Sequence, residues 1–227
     1  MKTKILLALV SVAAAGLSYG QTLVTQTLYF SGVPDFETPL VFSKYAGNAS
    51  DIQNVSIDYD LTISGGQFVV DNDADTPAEV AVKFGARLDA TSLQVTMLNH
   101  AFSAIINDVE ATNQAQYLLT PNFGDGLNDY DPTPTDGAVL VGATVNEAGG
   151  DDVHPLFWSQ YAGGGTFTVN VKASQIGSLS YNSGVETATT PVVANGSITV
   201  SYLVVPEVSS SVLLGISALG LAFRRRR

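Results

Sequence analysis

"VSIDYDLTIS", residues 55–64, alternates without a break. Val55, Ile57, Tyr59, Leu61 and Ile63 are apolar, and Ser56, Asp58, Asp60, Thr62 and Ser64 between them are polar. Successive side chains of a strand point to opposite faces, so the pattern predicts a β-strand with one face in a core and one in water. Three more stretches repeat it. Ala78, Val80, Val82, Phe84, Ala86 and Leu88 alternate around Glu79, Lys83 and Arg87. Phe167, Val169 and Val171 alternate around Thr168 and Asn170, and Ile198, Val200, Tyr202 and Val204 do so near the end. Half-wet strands pair antiparallel, and their buried faces need a second sheet to cover them. Turn chemistry separates the runs: "SGGQ" at 64–67, "DNDADTP" at 71–77, "AGGGT" at 162–166 and "ANGS" at 194–197. The expected fold is therefore all-β, a single-domain antiparallel β-sandwich over residues 21–205. Phe102, Ile105, Ile106 and Val109 fit a helical spacing, Phe102, Ala104 and Ile106 also fit a strand face, and the neighbouring strands favour strand. Residues 120–137, rich in Pro, Gly and Asp, read as a long surface loop.

The charge is unevenly spread. Residues 21–207 set Lys44, Lys83, Arg87 and Lys172 against all 21 acidic side chains, a net charge of −17. Such a surface repels phosphate backbones, so no nucleic-acid partner is expected. Plain solvation of a β-rich body accounts for the acid as well as a cationic partner does. The chain has no cysteine, which excludes zinc fingers, thiol nucleophiles and disulfides.

Both ends differ from the body. Lys2 and Lys4, then the apolar run 5–15, then small residues at Ser18 and Gly20 predict a signal peptide over residues 1–20, cut before Gln21 by a signal peptidase. Gly16 to Gly20 also spells the hydrolase pattern G-x-S-x-G, but inside a segment that is removed and without a strand-turn-helix context. At the other end, Val208 to Phe223 is apolar over 16 residues. As a helix this reaches about 24 Å, short of a hydrocarbon core of about 30 Å. Arg224, Arg225, Arg226 and Arg227 follow and would stay cytoplasmic, stopping transfer of a chain exported from its N-terminus.

Pro206-Glu207, the short apolar helix and the closing arginines resemble the PEP-CTERM sorting signal. The resemblance covers residues 206–227, with Val208 where the motif usually has a second Pro. It implies recognition at Pro206 and Glu207 by an exosortase, a transient membrane contact, and export to the surface or matrix of a Gram-negative-type bacterium. The body resembles the choice-of-anchor E domain in "TLYFSGVPDFETPLVFSKYAG", "VSIDYDLTISG", "FVVDNDADTPAEVAVKFGA", "LFWSQYAGGGTFTVNVKA" and "GSITVSYLVV". That resemblance implies an exported β-rich domain and carries over no catalytic residue.

Several groups invite chemistry. Asp71, Asp73 and Asp75 cluster as calcium ligands do, but Thr76 and Val82 replace the Gly and Glu of an EF-hand loop, and a hairpin tip explains them equally. Asp125, Asp129, Asp131 and Asp136 have comparable spacing, with Pro132 and Pro134 among them. His154 neighbours Asp151 and Asp152 as an acid-base pair would, and His100 is the other histidine; no nucleophile motif accompanies them. Phe157, Trp158 and Tyr161 could stack on a sugar or plug the core. Asn48, Asn54 and Asn195 match the glycosylation acceptor pattern. No catalytic residue and no cofactor is expected. The leading expectation is a non-enzymatic cell-surface or exopolysaccharide matrix protein. A carbohydrate-binding module and a secreted hydrolase are the alternatives.

Overall fold

The computed structural model describes residues 20–122, 124, 135–182 and 184–205. The predicted signal helix and the C-terminal apolar helix lie outside them. Among the described residues no helix is long and apolar enough to cross a membrane. The strands are β1 (Thr22–Gly32), β2 (Phe36–Ser43), β3 (Ile52–Ser64), β4 (Gln67–Asn72), β5 (Ala78–Thr91), β6 (Val109–Leu119), β7 (Gly137–Val141), β8 (Val145–Asp152), β9 (Thr166–Tyr181), β10 (Val185–Thr190) and β11 (Val193–Val204). Short 3-10 helices cover Ala49–Asp51 and Pro155–Tyr161.

Every strand pairing is antiparallel, in the orders β1-β11-β3-β8, β10-β4-β7 and β2-β9-β5-β6. The first two sheets form one line. β3 runs into β4 through Gly65-Gly66, β7 into β8 through residues 142–144, and β10 into β11 through Pro191-Val192. The neighbour order β11-β3-β8 therefore reappears as β10-β4-β7. The expected turn "SGGQ" is a bend in a continuing strand. Gly65 and Gly66 have φ of 67° and 77°, open to glycine and strained for other residues. A Cβ on Gly66 would also meet Thr190 O and Val192 at 3.0 Å.

The alternation read from the sequence holds in space. Val55, Ile57, Leu61 and Ile63 of β3 are fully buried, as are Val169 and Val171 of β9 and Ile198, Val200 and Tyr202 of β11. They join one hydrophobic cluster with Phe42, Phe167 and the inward side chains of β5. Phe68 of the bent sheet meets Phe84 of the facing layer at 6.3 Å between ring centres.

Two side-chain amides close the edges. Gln26 on edge strand β1 donates to Ser43 O at 2.7 Å and accepts from Ser43 N at 2.8 Å, copying a ladder pair between layers. Asn113 on edge strand β6 does the same with Ala143, at 3.2 and 3.1 Å. Asn113 is buried but Ala143 is exposed, so on truncation water takes over the Ala143 amide and carbonyl. We expect Asn113→Ala to cost about 0.5–1.5 kcal/mol, read from the urea midpoint at constant slope.

The core also holds two tyrosine hydroxyls. Tyr161 donates to Thr96 O at 2.9 Å and Tyr202 to Ser43 O at 3.0 Å. Burial pushes both phenols far above their ordinary value, and Tyr202 adds a smaller push on Tyr161. Below about pH 10 the folded and unfolded chains hold these protons alike. Above it only the unfolded chain releases them, so stability falls as pH rises, by about 1.4 kcal/mol per pH unit for each tyrosine. Urea unfolding between pH 8 and 11 measures the slope, which Tyr202→Phe should reduce but not abolish, because burial also raises the phenols of Tyr45 and Tyr117.

Two local expectations fail. Residues 102–108 form no strand beyond an isolated bridge, Leu98 with Ala104, and β6 starts only at Val109. Asn99 Oδ1 accepts from the amides of Ala101 and Ser103, both at 3.0 Å, winding the chain into a turn. Phe102 and Asp108 have φ of 58° and 54°, which no strand admits. "ANGS" is no turn either: it lies within β11, with Gly196 between Phe30 and Leu61. A Cβ there would collide with the Phe30 ring and Asp60 O, so the glycine serves a close approach within a strand.

Candidate functional site

Pro206, Glu207, Arg224, Arg225, Arg226 and Arg227 lie outside the described residues, as do Asp125, Asp129 and Asp131. What the structure gives is where the body's ends emerge. Thr22 pairs with Val204, the first residue of β1 against the last of β11. The first and last strands of the body therefore begin and end side by side.

The acidic turn is not a hairpin tip. It carries the chain from β4 in the bent sheet to β5 in the facing layer. Asp71 is buried, Asp73 half-buried and Asp75 exposed. Asn72, fully buried, organises the turn: its Nδ2 donates to Thr76 O at 2.9 Å and Thr120 O at 2.6 Å, and its Oδ1 accepts from Ala74 N at 3.2 Å. Asn72 N donates to the backbone of Asp136, whose side chain is buried. Among the described residues no three His, Asp or Glu side chains are placed to hold a metal ion.

The structure brings both histidines together. His100 and His154 lie 5.6 Å apart between ring centres, with Phe102 4.4 Å from His154. The acid-base pair imagined from the sequence does not form. Asp151 Oδ2 accepts from Asn99 at 2.8 Å and Asp152 Oδ1 from Asn54 at 2.6 Å. His154 Nδ1 accepts from the Leu156 amide at 3.2 Å, starting the second 3-10 helix.

That helix also carries the sugar-stacking pair. Tyr161 is fully buried, edge-on to Phe167 at 5.4 Å, so its ring face cannot meet a ligand. Trp158 is half-buried against the core, and its indole donates to Val153 O at 2.8 Å. The helical wind directs these rings inward where an extended chain would have alternated them.

The best-organised polar surface is one that single-strand reading misses: the outer face of β1-β11-β3-β8. Register aligns its side chains in rows across the four strands, Tyr29–Ser197–Asp60–Ala148 beside Ser31–Asn195–Thr62–Asn146. Asn146 Nδ2 donates to Asp60 Oδ2 at 2.9 Å and to Thr62 Oγ1 at 2.8 Å, and Ser31 donates to Asn195 Oδ1. Thr27 and Thr199 continue the hydroxyl ladder at 2.9 Å. Tyr29, Asp60 and Asn195 border a trough of about 620 Å³. Further along, loss of hydration and then the negative charge of Asp152 push the Asp58 carboxyl up from its ordinary range. The four strands contain no Lys, Arg or His. On the opposite layer Lys83 and Arg87 converge on Glu110 at 2.6 and 3.1 Å, and their hydrogen bonds, with a smaller share from their charges, hold that carboxyl low.

Fold and surface together define an antiparallel β-sandwich with a wet, carboxylate-bearing outer sheet. No family model matches the chain, and no curated protein matches it. Solved structures give remote likenesses. One of infectious bursal disease virus, Gx strain, aligns over 87% of this chain and 42% of the viral one at 10% identity and a TM-score of 0.20. Another, of the Gt strain, aligns over 95% and 53% at 11% identity and a TM-score of 0.15. The chain thus spans about half the length of the structures it matches.

Proposed function

We propose that this chain is an exported, non-enzymatic protein of the cell surface or exopolysaccharide matrix, handed on through its C-terminal tail by an exosortase-type membrane enzyme. The observation that carries the reading is the order Pro206-Glu207, apolar 208–223, Arg224–Arg227 behind an N-terminal signal. Each part has a separate physical role: Pro206 and Glu207 for recognition, the apolar run for holding the chain in the bilayer, and the arginines for halting transfer. The pairing of Thr22 with Val204 supports it. Handles leaving from one end of a sandwich reach one membrane together, and removing residues 1–20 and 206–227 takes away no described strand. Cell fractionation with an antibody against the body tests the reading. The protein is expected in the envelope or the medium, and a wholly cytosolic pool would contradict it.

A carbohydrate-binding role is the second reading, favoured by the outer sheet face rather than by Trp158 and Tyr161.

A further inference from the structure

We propose that the trough around Tyr29, Asp60 and Asn195 is a binding site for a polysaccharide without anionic groups. A pyranose ring offers two chemistries: a flat patch of C–H bonds and a rim of hydroxyls, each both donor and acceptor. The trough offers the complement of both. Tyr29, 51% exposed, presents an aromatic ring on the outer face. Asp60 shares its row two strands away and accepts hydroxyl protons through charge-assisted bonds. Asn195, one row along, spends its Oδ1 on Ser31 and leaves its Nδ2 hydrogens for a sugar oxygen.

These groups are held in place beforehand. Asn146 fixes Asp60 at 2.9 Å and Thr62 approaches its other oxygen at 3.3 Å, so little side-chain freedom is lost on binding. Rigid strands, not loops, carry all three residues.

Charge selects the ligand class. The outer face of β1, β11, β3 and β8 carries Asp58, Asp60 and Asp152, and the four strands hold no cationic side chain. A uronate, sulfate or phosphate polymer is repelled from such a face, whereas a neutral or amine-bearing glycan is not. Position fits an extracellular polymer. Tyr29 lies seven residues along β1 from Thr22, about 24 Å at 3.4 Å per residue, away from the end where both handles emerge. That placement outside the cell rests on the proposed export; the site chemistry does not.

Affinity electrophoresis of the full-length chain in mild detergent tests the site. The gels contain a neutral β-glucan, amine-bearing chitosan or uronate-bearing alginate. Retardation by glucan or chitosan but not alginate is expected, with Tyr29→Ala and Asp60→Asn each weakening it about tenfold. Retardation that survives 0.5 M NaCl identifies a neutral glycan; retardation by chitosan alone, lost at 0.5 M NaCl, identifies an amine-bearing one. An unchanged melting temperature in both variants keeps folding out of the comparison, and Tyr29→Phe should restore most of the binding. No retardation by glucan or chitosan, equal retardation by alginate, or retardation that neither substitution alters would overturn the proposal. Because purified protein is used, a negative result here leaves the export reading standing, and mislocalised protein in the cell leaves this result standing.

Discussion

Phe167→Ala is expected to remove about 3–5 kcal/mol of stability, roughly a fifth or more of what a domain of this kind has. Phe167 is 1% exposed, stacked on Phe42 at 5.6 Å and 20°, and met edge-on by Tyr161 at 5.4 Å. Phe42 lies opposite it in the β2/β9 register, so the pair joins two strands of one layer. Tyr161 comes from the 3-10 helix that closes this end of the core. Truncation therefore opens a cavity between three segments, none of which can collapse without breaking backbone pairing. In a chain of this size each kcal/mol moves the melting temperature about 2–4 °C, giving a fall of about 6–20 °C. Phe167→Leu keeps much of the volume and should cost well under half as much. Equal losses for the two variants, or a loss below about 1 kcal/mol for Phe167→Ala, would remove this ring cluster from the account.

Replacing Arg224–Arg227 by glutamine is expected to release the chain from the membrane while leaving the body's melting temperature unchanged. Cytoplasmic retention of a short apolar segment depends on flanking Lys and Arg, not on net charge. Each arginine carried into the bilayer centre costs about 2.5–3.5 kcal/mol on an insertion scale. The apolar run alone, about 24 Å as a helix, is too short to anchor firmly. With the arginines gone the tail can follow the body outward, so unprocessed protein should shift from the membrane fraction to the periplasm or medium. The same size and the same fraction as the wild type would separate the arginines from retention.

Parts of the fold were legible because a strand's side-chain period is local. The buried set Val55, Ile57, Leu61 and Ile63 follows from ten consecutive residues. Other parts depended on partners far along the chain. Gly196 reads as a turn until Phe30, more than 160 residues earlier, is laid across it. Gly65-Gly66 reads as a hairpin until β10 and β7 are seen to continue the neighbours of β3 past the bend. Residues 102–108 depart from a strand because one side chain, Asn99, outweighs their apolar periodicity. Tyr161 is taken into the core for a similar reason. Trp158 and Tyr161 are placed by a 3-10 helix whose start depends on His154 Nδ1, a contact no spacing rule announces.

The outer-sheet surface was invisible for the deepest version of this reason. Tyr29, Ser197 and Asp60 become neighbours only when β1, β11 and β3 are set in register, and their three segments span most of the chain. Their sequence signal was present but weak: polar alternates on strands that contain no Lys or Arg.

Intact mass of the protein recovered from the native cell envelope and medium bears most directly on the central claim, that a self-contained sandwich is carried between two disposable ends. The account predicts a mature chain that begins at Gln21 and has lost Arg224–Arg227 together with the apolar run before them. A mass corresponding to Met1–Arg227, found in the cytosol, would contradict it.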